Sequence, residues 1–248
     1  MSSHCVPDRF RAFLDSQFGT ECIDAIELTP EQAAAEHADY FLQDRRIVVE
    51  IKSLKTDTAP KMESILAPHR GRPEFKAISS KSIDTILDLL PDGDEIRAKL
   101  FLAITESVEG AVEKANRQIR ETKRTFRLPD AYGLLVLMND SVVILPPTTV
   151  AKRVAQSLMK RTQTGASRFS EIDTAWLMNE RHFAEIGGRK AVLDIVLAAR
   201  ESTRSKYVGA VTGLMSEEWA RYNKKEFARG SEDLLQDLRF RRNPKRDA

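Results

Sequence analysis

Residues 38 to 52 read ADYFLQDRRIVVEIK, and this stretch decides the fold because it describes a β-hairpin with two unlike faces. With Asp44 and Arg45 at a two-residue tip, residues whose numbers sum to 89 lie opposite each other across an antiparallel ladder. Ala38 then faces Ile51, Tyr40 faces Val49 and Leu42 faces Ile47, which makes one face wholly apolar. The same register sets Asp39 opposite Glu50 on the other face, with Lys52 two residues further along it.

Opposed carboxylates across a ladder have Cβ atoms roughly 5 Å apart, and like charges so placed repel. A divalent cation with oxygen ligands offsets that repulsion: Mg2+ takes one or two carboxylates and leaves its other positions to water and phosphate. A lysine beside the pair adds a point charge suited to a phosphate oxygen. The bland alternative is two solvated acids on the outer side of an amphipathic hairpin. Phe41 and Val48, between the charges on the same face, argue against full exposure.

Asp39, ten residues, then Glu50-Ile51-Lys52 resembles the PD-(D/E)xK nuclease superfamily, with Ala38 in place of the proline. The resemblance extends to about residue 145 and implies a restriction-endonuclease-like αβββαβ core in an α/β fold, a mixed central sheet flanked by helices. It further implies a phosphodiesterase site in which Asp39, Glu50 and the main-chain carbonyl of Ile51 hold Mg2+ or Mn2+, and Lys52 assists hydrolysis. Such nucleases place a polar residue from the following helix near the lysine. Gln118 is the choice for that role, with Lys114 or Lys123 as substitutes, and Glu36 or Glu27 as an upstream acid completing the metal shell.

The element order is read from the residues themselves. Pro7 to Phe18 carries Phe10, Phe13, Leu14 and Phe18 at helical spacing. Thr29-Pro30-Glu31-Gln32 reads as a helix start. Residues 53 to 73, rich in Lys, Pro, Gly and His, read as an irregular loop whose Lys55, Lys61, His69, Arg70 and Arg72 suit a phosphate backbone. A helical stretch from Glu95 to Phe126 follows. Its latter half carries Ala111, Ala115, Ile119, Thr122 and Phe126 as an apolar stripe, flanked by Arg117, Arg120, Lys123 and Arg124 as the nucleic-acid contacts.

Tyr132 to Met138 is a continuous apolar run, the pattern of a strand buried on both faces. Thr148 to Thr162 reads as a helix with Val150, Val154 and Leu158 inward and Lys152, Arg153, Lys160 and Arg161 outward. Gly165 marks a boundary between a core, residues 1–165, and a C-terminal α+β extension, residues 166–248. In that extension 175–178 and 191–198 are strands or short helices, 206–214 reads as a strand with glycines, and Ser216 opens a helix. The tail RFRRNPKRDA is basic and reads as a nucleic-acid contact.

Composition sets the remaining bounds. Hydrophobic residues at 42% and charged residues at 31% are ordinary for a soluble globular chain. The net charge of +2 gives no global drive toward nucleic acid, so any electrostatic footprint is local. Two cysteines and four histidines without ligand spacing favour reduced thiols and no zinc site. No apolar run is long enough to span a bilayer, and the amino terminus lacks a secretory pattern, so the expectation is a cytoplasmic protein with no membrane partner. The functional expectation is a metal-dependent nuclease, acting on DNA before RNA, in restriction, phage defence or repair. The alternatives are a catalytically silent nucleic-acid-binding or protein-interaction module on the same fold, and a regulatory protein that forms a homodimer through the region after Ser170.

Overall fold

The hairpin forms in the expected register over three pairs: β2 (Tyr40–Leu42) pairs antiparallel with β3 (Ile47–Ser53), matching Tyr40 to Val49, Phe41 to Val48 and Leu42 to Ile47. The expected pairs Asp39–Glu50 and Ala38–Ile51 fall outside the ladder because the Asp39 side chain takes the Ile51 N–H. Asp44 and Arg45 occupy the tip with φ of 53° and 65°, and the Arg46 N–H donates to the Gln43 carbonyl at 3.1 Å. These are the left-handed angles of a hairpin turn that favours Asn and Gly. Arg45 offsets their cost by forking onto Glu21 through Nε and a terminal nitrogen, with its guanidinium over the Phe41 ring.

The computed structural model describes residues 5–55, 58–77, 83–186, 188–230 and 240–242. The sheet around the hairpin has strand order β1-β2-β3-β4-β5-β6, with β1 (Thr20–Cys22), β4 (Tyr132–Asn139), β5 (Thr174–Ile186) and β6 (Arg189–Ala198). The β1–β2–β3 pairings are antiparallel, β3–β4 and β4–β5 are parallel, and β5–β6 is antiparallel. A short β7 (Phe240–Arg242) pairs with β5. The protein is thus α/β with a mixed open sheet flanked by helices. Among the described residues no helix is long and apolar enough to cross a membrane.

Alternation assigns the sheet faces. Tyr40, Leu42, Ile47, Val49, Ile51, Leu134, Val136, Met138, Trp176 and Met178 form one buried cluster with Phe10, Phe13 and Leu14 of helix α1 (Val6–Asp15). Val208 and Trp219 of the last helix join that cluster, and Phe10 meets Trp176 edge-on at 5.2 Å. On the opposite face Phe41 packs against Phe126, which directly follows the long helix that lies there.

In chain order α2 (Pro30–Ala34), closed at its start by a Thr29–Gln32 capping box, precedes β2, and residues 56–107, between β3 and β4, make a second unit. The first unit comprises residues 1–55 and 108–248. The second contains α3 (Ala59–Leu66), α4 (Pro73–Ala77), α5 (Ile83–Leu87) and α6 (Gly93–Ile104) around a core of Leu66, Leu87, Leu90, Ile96 and Leu100. The irregular loop expected over 53–73 is therefore largely helical. Pro60 and Pro73 sit in the first turn of their helices, where a missing N–H costs nothing. Three of its cations are paired within the unit: Lys61 with Glu106, Arg70 with Glu63 and Arg72 with Asp92.

The chain returns through α7 (Glu106–Thr125), β4, α8 (Pro147–Leu158), β5, β6 and α9 (Thr203–Tyr222). The boundary expected at residue 165 falls inside one sheet, since β5 pairs with β4 over six residue pairs. Residues 206–214, read as a strand, belong to α9. Its Ser202 hydroxyl accepts the Ser205 N–H, and Ser205, Val208, Thr212, Ser216 and Trp219 are buried at spacings of three and four. Burial of that stripe overrides the strand preference of its Val, Thr and Gly content. Arg153, expected to face outward, is buried on α8 and pairs with Glu109.

Gly133 in β4 marks a close approach of backbones. A Cβ there would stand 1.8 Å from the Glu171 carbonyl oxygen, a distance no side chain tolerates. Asp173 reinforces the contact, accepting the Gly133 N–H at 2.9 Å while Arg200 and Arg204 flank its other oxygen.

Candidate functional site

At the carboxyl end of β3 the strand's outward residues converge with the segment preceding β2 and with α7. Asp39 lies one residue beyond the last hairpin pair. Its N–H donates to the Val49 carbonyl at 3.0 Å, and its Oδ2 accepts the Ile51 N–H at 2.7 Å. The side chain thus takes a ladder acceptor's place. Its Oδ1 accepts from a terminal nitrogen of Arg11 at 2.5 Å. Arg11 is on α1, whose apolar side is fixed by Phe10, Phe13 and Leu14.

Glu50 is 1% exposed. Its Oε1 accepts from Lys52 Nζ, and Lys52 donates again to Gln118 Oε1 at 2.5 Å. Gln118 Nε2 donates to the His37 carbonyl at 2.9 Å. One helical turn further on α7, the Thr122 hydroxyl accepts the Ala38 N–H at 2.7 Å. Two side chains four residues apart therefore tie α7 to residues 37 and 38, and Gln118 holds Lys52 against Glu50. The structure brings together Asp39, Glu50, Lys52 and Gln118, four of the residues singled out from the sequence.

Burial pushes the Glu50 carboxyl up to about 8, the Asp39 charge adds to the rise, and Lys52 and Arg11 oppose it. A metal-free Glu50 is thus largely protonated at neutral pH. Its Oε2 is buried and has no hydrogen-bond partner. A lone buried carboxylate oxygen is costly unless a proton or a cation occupies it.

A hard divalent cation fits that demand. Glu50 Oε2 is a free oxygen donor, Asp39 lies near enough to act on the Glu50 charge, and Mg2+ or Mn2+ needs only one or two carboxylates when water and phosphate complete its shell. Among the described residues there is no group of three or more His, Cys, Asp or Glu side chains able to hold a metal; Asp39 and Glu50 are the two carboxylates a cation at this place would have. Ile51 is buried, with its N–H committed to Asp39. Glu36 and Glu27 are exposed, and Glu36 turns to Arg117 at 3.0 Å instead of completing a metal shell.

The cations assigned to nucleic acid are paired with acids brought by neighbouring elements. Arg117 meets Glu36, Arg124 meets Glu31 and Glu121, and Arg120 lies 4.0 Å from Glu121. All three are exposed, and such pairs are weak enough to exchange for phosphate. Lys123 departs from expectation: it is 7% exposed and donates to Glu171 at 3.0 Å, because the α7 stripe that packs on the sheet is wide enough to include it. Lys114 is exposed on α7 and makes no contact with Lys52 or the acids. The basic tail at 243–248, with residue 239, lies outside the described residues; Arg241 is exposed and 3.6 Å from Glu185.

Sequence reasoning missed Arg11 and the His37 carbonyl. Arg11 had one signal, its position one residue after the buried Phe10, but nothing local pairs it with an acid 28 positions away. No family model, curated protein or solved structure matches this chain.

Proposed function

We propose that the protein is a divalent-metal-dependent nuclease that hydrolyses phosphodiester bonds in nucleic acid, DNA before RNA, on a core of the restriction-endonuclease-like kind. The observation that carries the proposal is the Asp39–Glu50–Lys52–Gln118 constellation, with its one buried, unpartnered carboxylate oxygen. The order α1, β1, β2, β3, α7, β4, with an antiparallel hairpin and a parallel crossover, supports the same reading.

When bound, Mg2+ or Mn2+ supplies a water of lowered pKa and neutralises charge on the phosphate. Asp39 and Glu50 would hold the metal through their carboxylates, with Glu50 releasing its proton to solvent. Lys52, fixed by Gln118 and through it by the His37 carbonyl, presents an ammonium to the attacking or phosphate oxygen, where a preorganised charge acts most strongly. Arg117, Arg120 and Arg124 on the exposed side of α7 exchange their surface carboxylates for the nucleic-acid backbone.

A second reading, a catalytically silent binding module, is favoured by one observation: each acid already has a cation of the chain beside it, Arg11 on Asp39 and Lys52 on Glu50. Calorimetric titration of Mn2+ into wild type and Asp39→Ala, with cleavage assays on single- and double-stranded DNA and RNA, separates the two. Binding that depends on Asp39 together with cleavage supports the nuclease. Asp39-dependent binding without cleavage of any substrate leaves the silent module, and binding indifferent to the substitution removes the metal site.

A further inference from the structure

Resting on the nuclease reading, we infer that Arg11 is a built-in counter-ion that competes with the metal for Asp39, so that the site loads only when the guanidinium is drawn away. Each Asp39 oxygen already accepts a hydrogen bond. Oδ2 accepts the Ile51 main-chain N–H at 2.7 Å, and Ile51 is buried, so that oxygen is held by a backbone donor of the sheet. Oδ1 is the oxygen free of a backbone donor, and Arg11 is on it at 2.5 Å. A dication arriving at Oδ1 meets a positive charge in hydrogen-bond contact with its intended ligand. The two repel, and the guanidinium yields because it is the mobile group: its side chain is 38% exposed on a long stem, whereas that of Asp39 is 16% exposed and pinned.

Displacement leaves Arg11 at the edge of the site with the donor it gave Asp39 released. A bidentate phosphate contact is the natural use of such a group, so an incoming backbone phosphate pulls Arg11 off Asp39 and opens Oδ1. Metal and phosphate then bind with positive coupling, and the coupling is reciprocal. The arrangement keeps a hydrolytic site quiet until a phosphate is present, and it requires no movement of the sheet.

The test is Mn2+ titration calorimetry on the full chain with Arg11→Met, Arg11→Lys and the double variant Arg11→Met/Asp39→Asn beside wild type. Arg11→Met is expected to bind Mn2+ about tenfold more tightly than wild type, equivalent to about 1.4 kcal/mol. Arg11→Lys, which keeps the charge and loses the fork, should tighten by about two- to threefold. The double variant should lose the gain. A damaged fold weakens binding, so the sign of the change separates competition from structural support, and the lysine variant reads the same effect should the methionine variant not fold. Mn2+ affinity that is unchanged or weaker in both single variants overturns the inference, and leaves the nuclease reading intact where wild-type binding still needs Asp39. Absence of Mn2+ binding in all four chains removes both. Binding gained only when Arg11 is replaced supports the inference in its strongest form.

Discussion

Glu50→Gln isolates the most strongly perturbed group of the site. The side chain keeps its shape, but the amide cannot ionise. In the folded metal-free protein the Glu50 carboxyl titrates at about 8, against a reference value of 4.5. A folded-state pKa raised above the unfolded one gives stability that is complete below the unfolded value and is lost as pH rises through the folded one. At pH 5 the unfolded chain gains little from ionising this carboxyl. By pH 7.5 it gains fully while the folded chain still holds the proton, so the wild type loses about 3 kcal/mol over that interval from Glu50 alone, at about 1.4 kcal/mol per pH unit. Glu50→Gln does not lose this contribution. Urea denaturation in EDTA at pH 5, 6, 7 and 7.5 should therefore show the stability difference, variant minus wild type, becoming more positive by about 3 kcal/mol across the series. Subtraction cancels the remaining groups, including Asp194, which burial also pushes up to about 6. Parallel curves for the two proteins would refute the claim that this carboxyl is buried and protonated.

The same proton couples to metal. Mn2+ uptake at pH 7 should release close to one proton, and apparent affinity should rise about tenfold per pH unit up to about pH 8, read by titration in buffers of differing ionisation enthalpy. Lys52→Ala should abolish cleavage and leave nucleic-acid affinity in Ca2+ within a few-fold of wild type, since one phosphate contact adds little to a multi-contact interface; a matching loss of affinity in a filter-binding assay would assign Lys52 to binding. Gln118→Ala should lower kcat by about tenfold or more with stability reduced by only about 1 kcal/mol, because it frees Lys52 without opening a cavity in the apolar core; unchanged turnover would remove its positioning role. Gly133→Ala should destabilise by about 3 kcal/mol or more, because the new Cβ meets the rigid Glu171 carbonyl; a neutral result in urea denaturation would show that this backbone gives way easily.

The hairpin register was legible because it depends on a period of two and a turn of fixed length, both local properties. The sequence brought Asp39, Glu50 and Lys52 to one end of β3, and it singled out Gln118 on the helix that follows. Arg153 and Lys123 were misassigned because charge is a poor guide to burial when an acid on another element is waiting: Glu109 and Glu171 lie 44 and 48 residues away. The stretch 206–214 was misassigned because β-branched residues and glycine weigh against a helix locally, while the Trp219 face of α9 gains its stability against Phe10 and Phe13, at the other end of the chain.

By itself, then, the sequence determined which residues share a face, because side-chain direction along a strand or helix follows from backbone geometry over a few residues. Only the tertiary structure decided the state of those residues: that Glu50 is dry enough to hold a proton, that Asp39 is already taken by Arg11 and Ile51, and that β5 and β6 extend the first sheet. Burial and ion pairing depend on what a distant part of the chain brings to the same place. No local pattern records that.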